Sequence, residues 1–161
     1  MPKLTPFLWF NNNAEEAVDF YLKVFPNSKI KSLTRYDEAG AKVSGQKKGS
    51  VMVMYFSLDG KDFGALNGGP MYQFSQATSF VIDCKNQKEV DHYWNALSKG
   101  GEIQPCGWVI DKFGVAWQVT PTILPKLIGD RDPKKAKRTM EAMLQMKKLD
   151  IATLQAAHQG K

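Results

Sequence analysis

The chain has 161 residues, enough for one domain with a sizeable core or for two small repeats sharing one, and too few for two ordinary independent domains. Hydrophobic residues make up 43% and charged residues 24%, which excludes a disordered chain. The net charge is +6, and residues 130–161 supply four of those six charges; no aromatic-rich strand or reading helix accompanies them, so specific nucleic-acid binding is not expected.

The opening MPKLTPFLWF carries one lysine and two prolines and lacks the uninterrupted apolar stretch of a leader. No apolar run elsewhere reaches the length of a membrane span, and a cytoplasmic protein is expected. Cys84 and Cys106 are too few for a disulfide framework and form no CxxC or Cys/His cluster, so both are expected to be reduced.

LTPFLWF has the pattern of a first strand. It runs into N-A-E-E-A-V-D-F-Y, which reads as a helix whose N-cap is Asn13, with Glu16 three residues later in a capping-box arrangement. Ala17, Phe20, Tyr21 and Val24 form its apolar stripe, and Pro26-Asn27 ends it. A strand is expected over about residues 28 to 36, then a polar loop from Asp37 to Gly49. SVMVMYFSL and DFGALNGG follow as a hairpin about Asp59-Gly60, a strong two-residue turn signal.

The same order then recurs. An offset of 73 superposes Asn13 on Asn86, Glu16 on Glu89, Phe20 on Tyr93 and Tyr21 on Trp94, and carries Thr5 onto Thr78 and Phe7 onto Phe80. ATSFVID is therefore a strand, and N-Q-K-E-V-D-H-Y-W a capped helix with the stripe Val90, Tyr93, Trp94 and Leu97, ended by Gly100-Gly101. EIQPC, GWVID and GVAWQVTP supply three shorter strands. Each half reads β-α-β-β-β, about residues 1–72 and 73–125, within a domain spanning 1–129.

A helical tail, 130–161, completes the chain. Ala136, Met140, Met143 and Leu144 line one expected face, and Asp150 is placed to cap a last helix carrying Ile151, Leu154 and Ala157. This stripe is expected to cover the protein's own sheet or a dimer mate. A basic, methionine-rich interaction surface is the sharper alternative.

The duplicated unit, with N-x-E-E-A-x-x-F-Y in the first half and D-K-F-G-V-x-W in the second, resembles the vicinal oxygen chelate superfamily of glyoxalases, dioxygenases and bleomycin-resistance proteins. TPFLWF, ALNGGP, EVDHYWNALSKGGE, CGWVIDKFGVAWQV and MEAMLQMKKLDIATL resemble its PhnB-like branch over essentially the whole chain. The resemblance implies an α+β fold of two βαβββ modules forming curved mixed sheets, here with a C-terminal helical extension. It also implies cavities half-enclosed by the sheets and often completed by a second subunit of a homodimer.

In metal-using relatives, ligands come from the first and last strands of each half. Carried onto this chain, those positions fall on Pro6, Asn67, Ser79 and Gln118, the last usually Glu in the family. Proline has no donor atom and the other three offer only neutral oxygens, whereas a catalytic divalent metal usually needs imidazole or carboxylate. His92 and His158, the two histidines, lie at none of these positions. No metal ligand and no cofactor are therefore expected, and a metal-dependent glyoxalase- or dioxygenase-like enzyme is the alternative.

The branch's customary label refers to a 3-demethylubiquinone-9 3-methyltransferase. LNGGP, however, leads into MYQFSQ, which lacks the helical pattern that a nucleoside-binding glycine loop needs.

The expected ligand-binding residues are Trp9, Asn67, Ser79, Trp108 and Gln118, with Tyr36, Tyr55 and Phe63 as further candidates for an apolar pocket. The ligand is an unidentified small organic molecule. Trp117 and Gln118 must point to opposite faces of their strand, so a cavity-facing Gln118 puts Trp117 under the helices. Asp111 is expected to be a turn acceptor, and Cys106, with no cation or imidazole beside it in sequence, a structural thiol.

Overall fold

The computed structural model describes residues 4–161. Met1 to Lys3, part of the leader reading, lie outside the described residues. The chain divides into two compact units, residues 1–74 and 75–161.

In the first unit, β1 (Phe7–Phe10), α1 (Ala14–Val24), β2 (Lys29–Arg35), α2 (Glu38–Ser44), β3 (Val51–Leu58) and β4 (Lys61–Asn67) follow in order. The sheet runs β1-β4-β3-β2, with β1 parallel to β4 and the other pairs antiparallel. Asp59 and Gly60 both have positive φ, 45° and 78°, the backbone of a tight hairpin turn matching strand twist.

The second unit repeats this plan with β5 (Phe80–Cys84), α3 (Gln87–Ser98), β6 (Glu102–Ile103), β7 (Trp108–Ile110) and β8 (Ala116–Pro121). Its sheet runs β5-β8-β7-β6, again with a parallel first pair. α4 (Leu124–Ile128) follows β8, and the tail adds α5 (Pro133–Leu144) and α6 (Ile151–Gln159).

Both long helices bury the stripes their spacing predicts. Ala17, Tyr21 and Val24 are buried on α1, and Val90, Trp94 and Leu97 on α3, while Phe20 and Tyr93 are half-buried at the stripe margins. Gly101 allows the turn after α3, since a Cβ there would lie 2.1 Å from the Ile110 carbonyl oxygen.

Three expectations need correcting. The segment 37–49 is not all loop: Asp37 accepts a hydrogen bond from Gly40 N at 2.7 Å and starts α2, which ends at Gly45 with φ 71°. Only Ala41 of that helix is buried, so no apolar stripe announced it. Asn13 makes no side-chain cap on α1. Its role passes to Asn67, whose Oδ1 accepts from Ala14 N at 2.8 Å.

On α5, Met140 and Leu144 are 38% and 56% exposed, and Thr139 is the fully buried residue. Thr139 Oγ1 donates to the Lys135 carbonyl at 2.9 Å, so its hydroxyl is satisfied within the helix. The tail's core is Leu124, Leu127, Leu149 and Leu154, flanked by Met143 and Met146. Asp150 caps α6 as expected, accepting from Thr153 N at 2.7 Å. No helix among the described residues is long and apolar enough to cross a membrane.

Candidate functional site: the open sheet faces

Strand alternation gives each sheet a face packed on its helix and a face left open. In the second unit, Ile82, Cys84, Val109, Trp117 and Val119 are buried on the helix side. On the other side, Val81, Gln118 and Trp108 form one row across β5, β8 and β7, because Gln118 is the register partner of both. Val81 is 54% exposed, and Gln118 and Trp108 are half-buried. Ser79 stands two residues before Val81, and its Oγ accepts a hydrogen bond from Gln118 Nε2 at 2.9 Å. That bond leaves Gln118 Oε1 as an acceptor and the Ser79 hydroxyl proton as a donor. The site thus offers a neutral donor–acceptor pair beside an indole ring.

Asp111 holds this hairpin from behind. It is 3% exposed; Oδ1 accepts from Phe113 N at 2.8 Å and Val115 N at 3.1 Å, and Oδ2 from Trp117 Nε1 at 2.8 Å. The turn carboxylate therefore fixes Trp117 on the buried face, and by alternation turns Gln118 to the open one.

In the first unit, the open face is aromatic. Phe7 lies across Gly64, where a Cβ would come within 2.4 Å of its ring, and meets Tyr55 edge-on with centroids 6.0 Å apart. Trp9 lies against Gly68 in the same way, donates from Nε1 to the Gly69 carbonyl at 2.9 Å, and is met edge-on by Tyr72 at 4.9 Å. The glycines of LNGGP thus seat a tryptophan. They precede turns rather than a helix, so this stretch has no nucleoside-binding strand–loop–helix form.

Ser79, Trp108 and Gln118 come together, and Trp9 stands on the open face of its own sheet. Asn67 does not face an open surface. It is 3% exposed, and besides holding Ala14 N it donates from Nδ2 to Glu15 Oε2 at 2.7 Å and to the Val51 carbonyl at 3.0 Å. Every polar atom of its side chain is committed to the start of α1 and to β3.

Tyr36 and Phe63 are likewise buried, Tyr36 donating from its hydroxyl to the Asn67 carbonyl at 2.6 Å and Phe63 stacking on Phe56. Tyr55, at 45% exposure, is open. Val81 and Phe7 were missed, although strand alternation from Ser79 and Trp9 identifies both.

The donor set does not fit a catalytic divalent metal. Pro6 contributes no side-chain donor, Asn67 is fully engaged, and Ser79 and Gln118 are neutral and bonded to each other. Among the described residues, no three His, Cys, Asp or Glu side chains gather as a metal site.

Neither thiol is set up as a nucleophile. Cys84 is fully buried, and burial, with Glu89 and Asp83 adding, pushes its pKa up to about 12. Cys106 has φ 59° and points its Sγ at the Met143 carbonyl, 3.7 Å away.

Two mixed four-stranded sheets of identical order, each with one helix packed on one face, define a duplicated fold of the vicinal oxygen chelate type. The family model for 3-demethylubiquinone-9 3-methyltransferase matches residues 2–120, and the chain belongs to that PhnB-like family. The PhnB protein of Bacillus cereus is 34% identical, with a TM-score of 0.67, over 74% of this chain and 99% of its own. Protein PA1353 of Pseudomonas aeruginosa is 21% identical, with a TM-score of 0.61, over 75% and 98%. A point mutant of the fosfomycin resistance protein FosX of Listeria monocytogenes, complexed with Mn(II) and 1S,2S-dihydroxypropylphosphonic acid, shares the fold at 14% identity and a TM-score of 0.50, over 73% and 90%. None of the curated proteins matches the chain.

Proposed function

We propose that this protein is a homodimer that binds a small organic molecule against its open sheet faces, without a catalytic metal. The observation that carries this reading is the hydrogen bond between Gln118 and Ser79. At positions where metal-using relatives carry metal ligands, the last usually glutamate, this chain has a hydroxyl–amide pair beside Trp108 and Val81. Such a pair orients a ligand by hydrogen bonding, while the indole and the valine give it apolar contact. The aromatic face around Phe7, Trp9 and Tyr55 supports the same reading, with flat apolar area and few charges. Methyl transfer, named in the family's description, finds no support in the fold around the glycine stretch.

The test is mass spectrometry and metal analysis of protein purified without a histidine tag. A small organic molecule released on denaturation, absent or reduced about tenfold in Gln118→Ala and Trp108→Ala, is the expected result, since each loses roughly one anchoring contact. Near-stoichiometric metal in the parent protein, lost in Gln118→Ala, would overturn the metal-free reading in favour of a glyoxalase- or dioxygenase-like enzyme.

A further inference from the structure

The match to the family ends at residue 120, and the helical tail lies beyond it. The tail nevertheless reaches into the hairpin that carries Trp108 and Gln118. Cys106 and Gly107 sit in consecutive left-handed conformations, φ 59° and 84°. Their amides thereby donate to two consecutive tail carbonyls, Cys106 N to Met146 at 2.8 Å and Gly107 N to Lys147 at 2.7 Å. On its other side, the Gly107 carbonyl accepts from Val119 N at 2.8 Å. One continuous path runs from tail backbone to Gly107, and from there to the residues on either side of it, Trp108 in the chain and Val119, next to Gln118, across the sheet.

A second fixture follows directly, at residues 148–151 of the tail. Gln87, at the start of α3, donates from Nε2 to the Leu149 carbonyl at 3.2 Å and accepts from Ile151 N at 2.9 Å, and Lys148 pairs with Asp91 at 2.6 Å. Leu149 is fully buried, and its side chain lies within 3.0 Å of where a Gly107 Cβ would stand. The Val119 carbonyl oxygen would be closer still, 2.8 Å, so glycine is required at residue 107 by its own sheet as well as by the tail.

The two units show why this contact is needed. In the first, β2 and β3 share six registered pairs, so β3 has an outer neighbour along most of its length. In the second, β6 and β7 share two, Glu102 with Ile110 and Ile103 with Val109. Gln104 N still donates to the Trp108 carbonyl at 3.0 Å, so residues 105–107 form the turn that joins β6 to β7, and the outward amides of that turn, Cys106 N and Gly107 N, find their acceptors in Met146 and Lys147.

We infer that residues 145–151 clamp the turn between β6 and β7 and so position Trp108 and Gln118, making the tail part of the binding site's support. The ligand-binding meaning of this role rests on the function proposed above; the mechanical role does not.

Amide hydrogen exchange and the Gln118 side-chain amide resonance, followed by NMR, separate the two. Gln87→Ala removes two tail bonds without touching the hairpin, and Leu149→Ala weakens the same contact from the tail side. Both are expected to speed exchange at Gly107 and Val119 by about five- to tenfold, the effect of losing roughly one hydrogen bond, and to shift the Gln118 amide. Arg138→Ala is the control. It removes bonds to the carbonyls of Ala157 and His158 at the end of α6, away from the hairpin, and should leave Gly107, Val119 and Gln118 unchanged. Gln87→Ala and Leu149→Ala that loosen only residues 145–161, or Arg138→Ala that moves the hairpin equally, would overturn the positioning role. If the hairpin loosens as expected and the organic molecule is retained undiminished, the clamp stands and the proposed location of the binding site fails.

Discussion

The two halves share one topology and hold it by different means. The first takes its fixtures from distant positions: α1 is capped by Asn67, 53 residues away, and its hairpin turn, built on two positive-φ residues, has the Asp59 amide held by Ser28 Oγ at 3.2 Å, 31 residues away. The second uses local fixtures. Asn86 accepts from Glu89 N at 3.0 Å while Glu89 Oε2 accepts from Lys85 N at 2.8 Å, so the helix start is closed within five residues. Its last hairpin is held by the Asp111 carboxylate, four residues from Val115, and only the turn between β6 and β7 reaches far along the chain, to Met146 and Lys147. A repeated sequence therefore preserves strand order, while caps and turns are solved again in each copy.

The sharpest way to break this contrast is at the turns. Asp111→Ala strands two buried backbone amides and the Trp117 indole N–H, and should lower stability by roughly 3–4 kcal/mol in urea unfolding. At the first hairpin the corresponding loss is one exposed bond, from Asp59 N to Ser28 Oγ, and Ser28→Ala should cost less than about 1 kcal/mol in the same assay.

The helix starts give a smaller, graded set. Asn67→Ala should cost about 2 kcal/mol, because it leaves Ala14 N without its acceptor and removes the links to Glu15 and Val51. Asn86→Ala should cost about 1 kcal/mol as an ordinary cap loss, and Asn13→Ala less than about 0.5 kcal/mol. Equal losses at Asn13 and Asn86 in urea unfolding would mean that the two halves cap their helices alike.

The smallest expected effect is acid sensitivity confined to the tail. Asp91 is held below the usual carboxylate range by its hydrogen bonds to Lys148 and Gln87, Asp130 by the Asp132 amide and then by His158, and Asp150 by Thr153. A depressed carboxylate contributes stability above its ordinary pKa of 3.8 and loses it as pH falls through the lower folded value. Exchange in residues 145–161 should therefore accelerate below about pH 4, before exchange in α1 does. Simultaneous acceleration in both would show that the tail is not separately tied down by these three groups.

Much of this could be read without coordinates. The offset between Asn13 and Asn86 exposed the duplication, the stripes of α1 and α3 followed from helical spacing, and Asp59-Gly60 announced its turn. Opposite faces for Trp117 and Gln118 followed from the two-residue period of a strand. The site was legible to the extent that it depended on that period: Gln118, Trp108 and Trp9 are open because their neighbours are buried.

Asn67 was misread because an asparagine at the end of a strand carries no sign of which way its amide is claimed. Met140 and Leu144 were misread because apolar spacing shows that a stripe exists, while burial depends on what it meets.

The sequence by itself determined the repeat, the β-α-β-β-β order of each half apart from the helix α2, and the opposite faces of Trp117 and Gln118, since all three follow from local periodicity and adjacent residues. Only the tertiary structure decided that Asn67 caps α1 and that Met146 and Lys147 receive the amides of Cys106 and Gly107. Each of those depends on an unpaired backbone group finding its partner far along the chain, and the requirement that buried N–H groups be bonded does not say which residue will meet it.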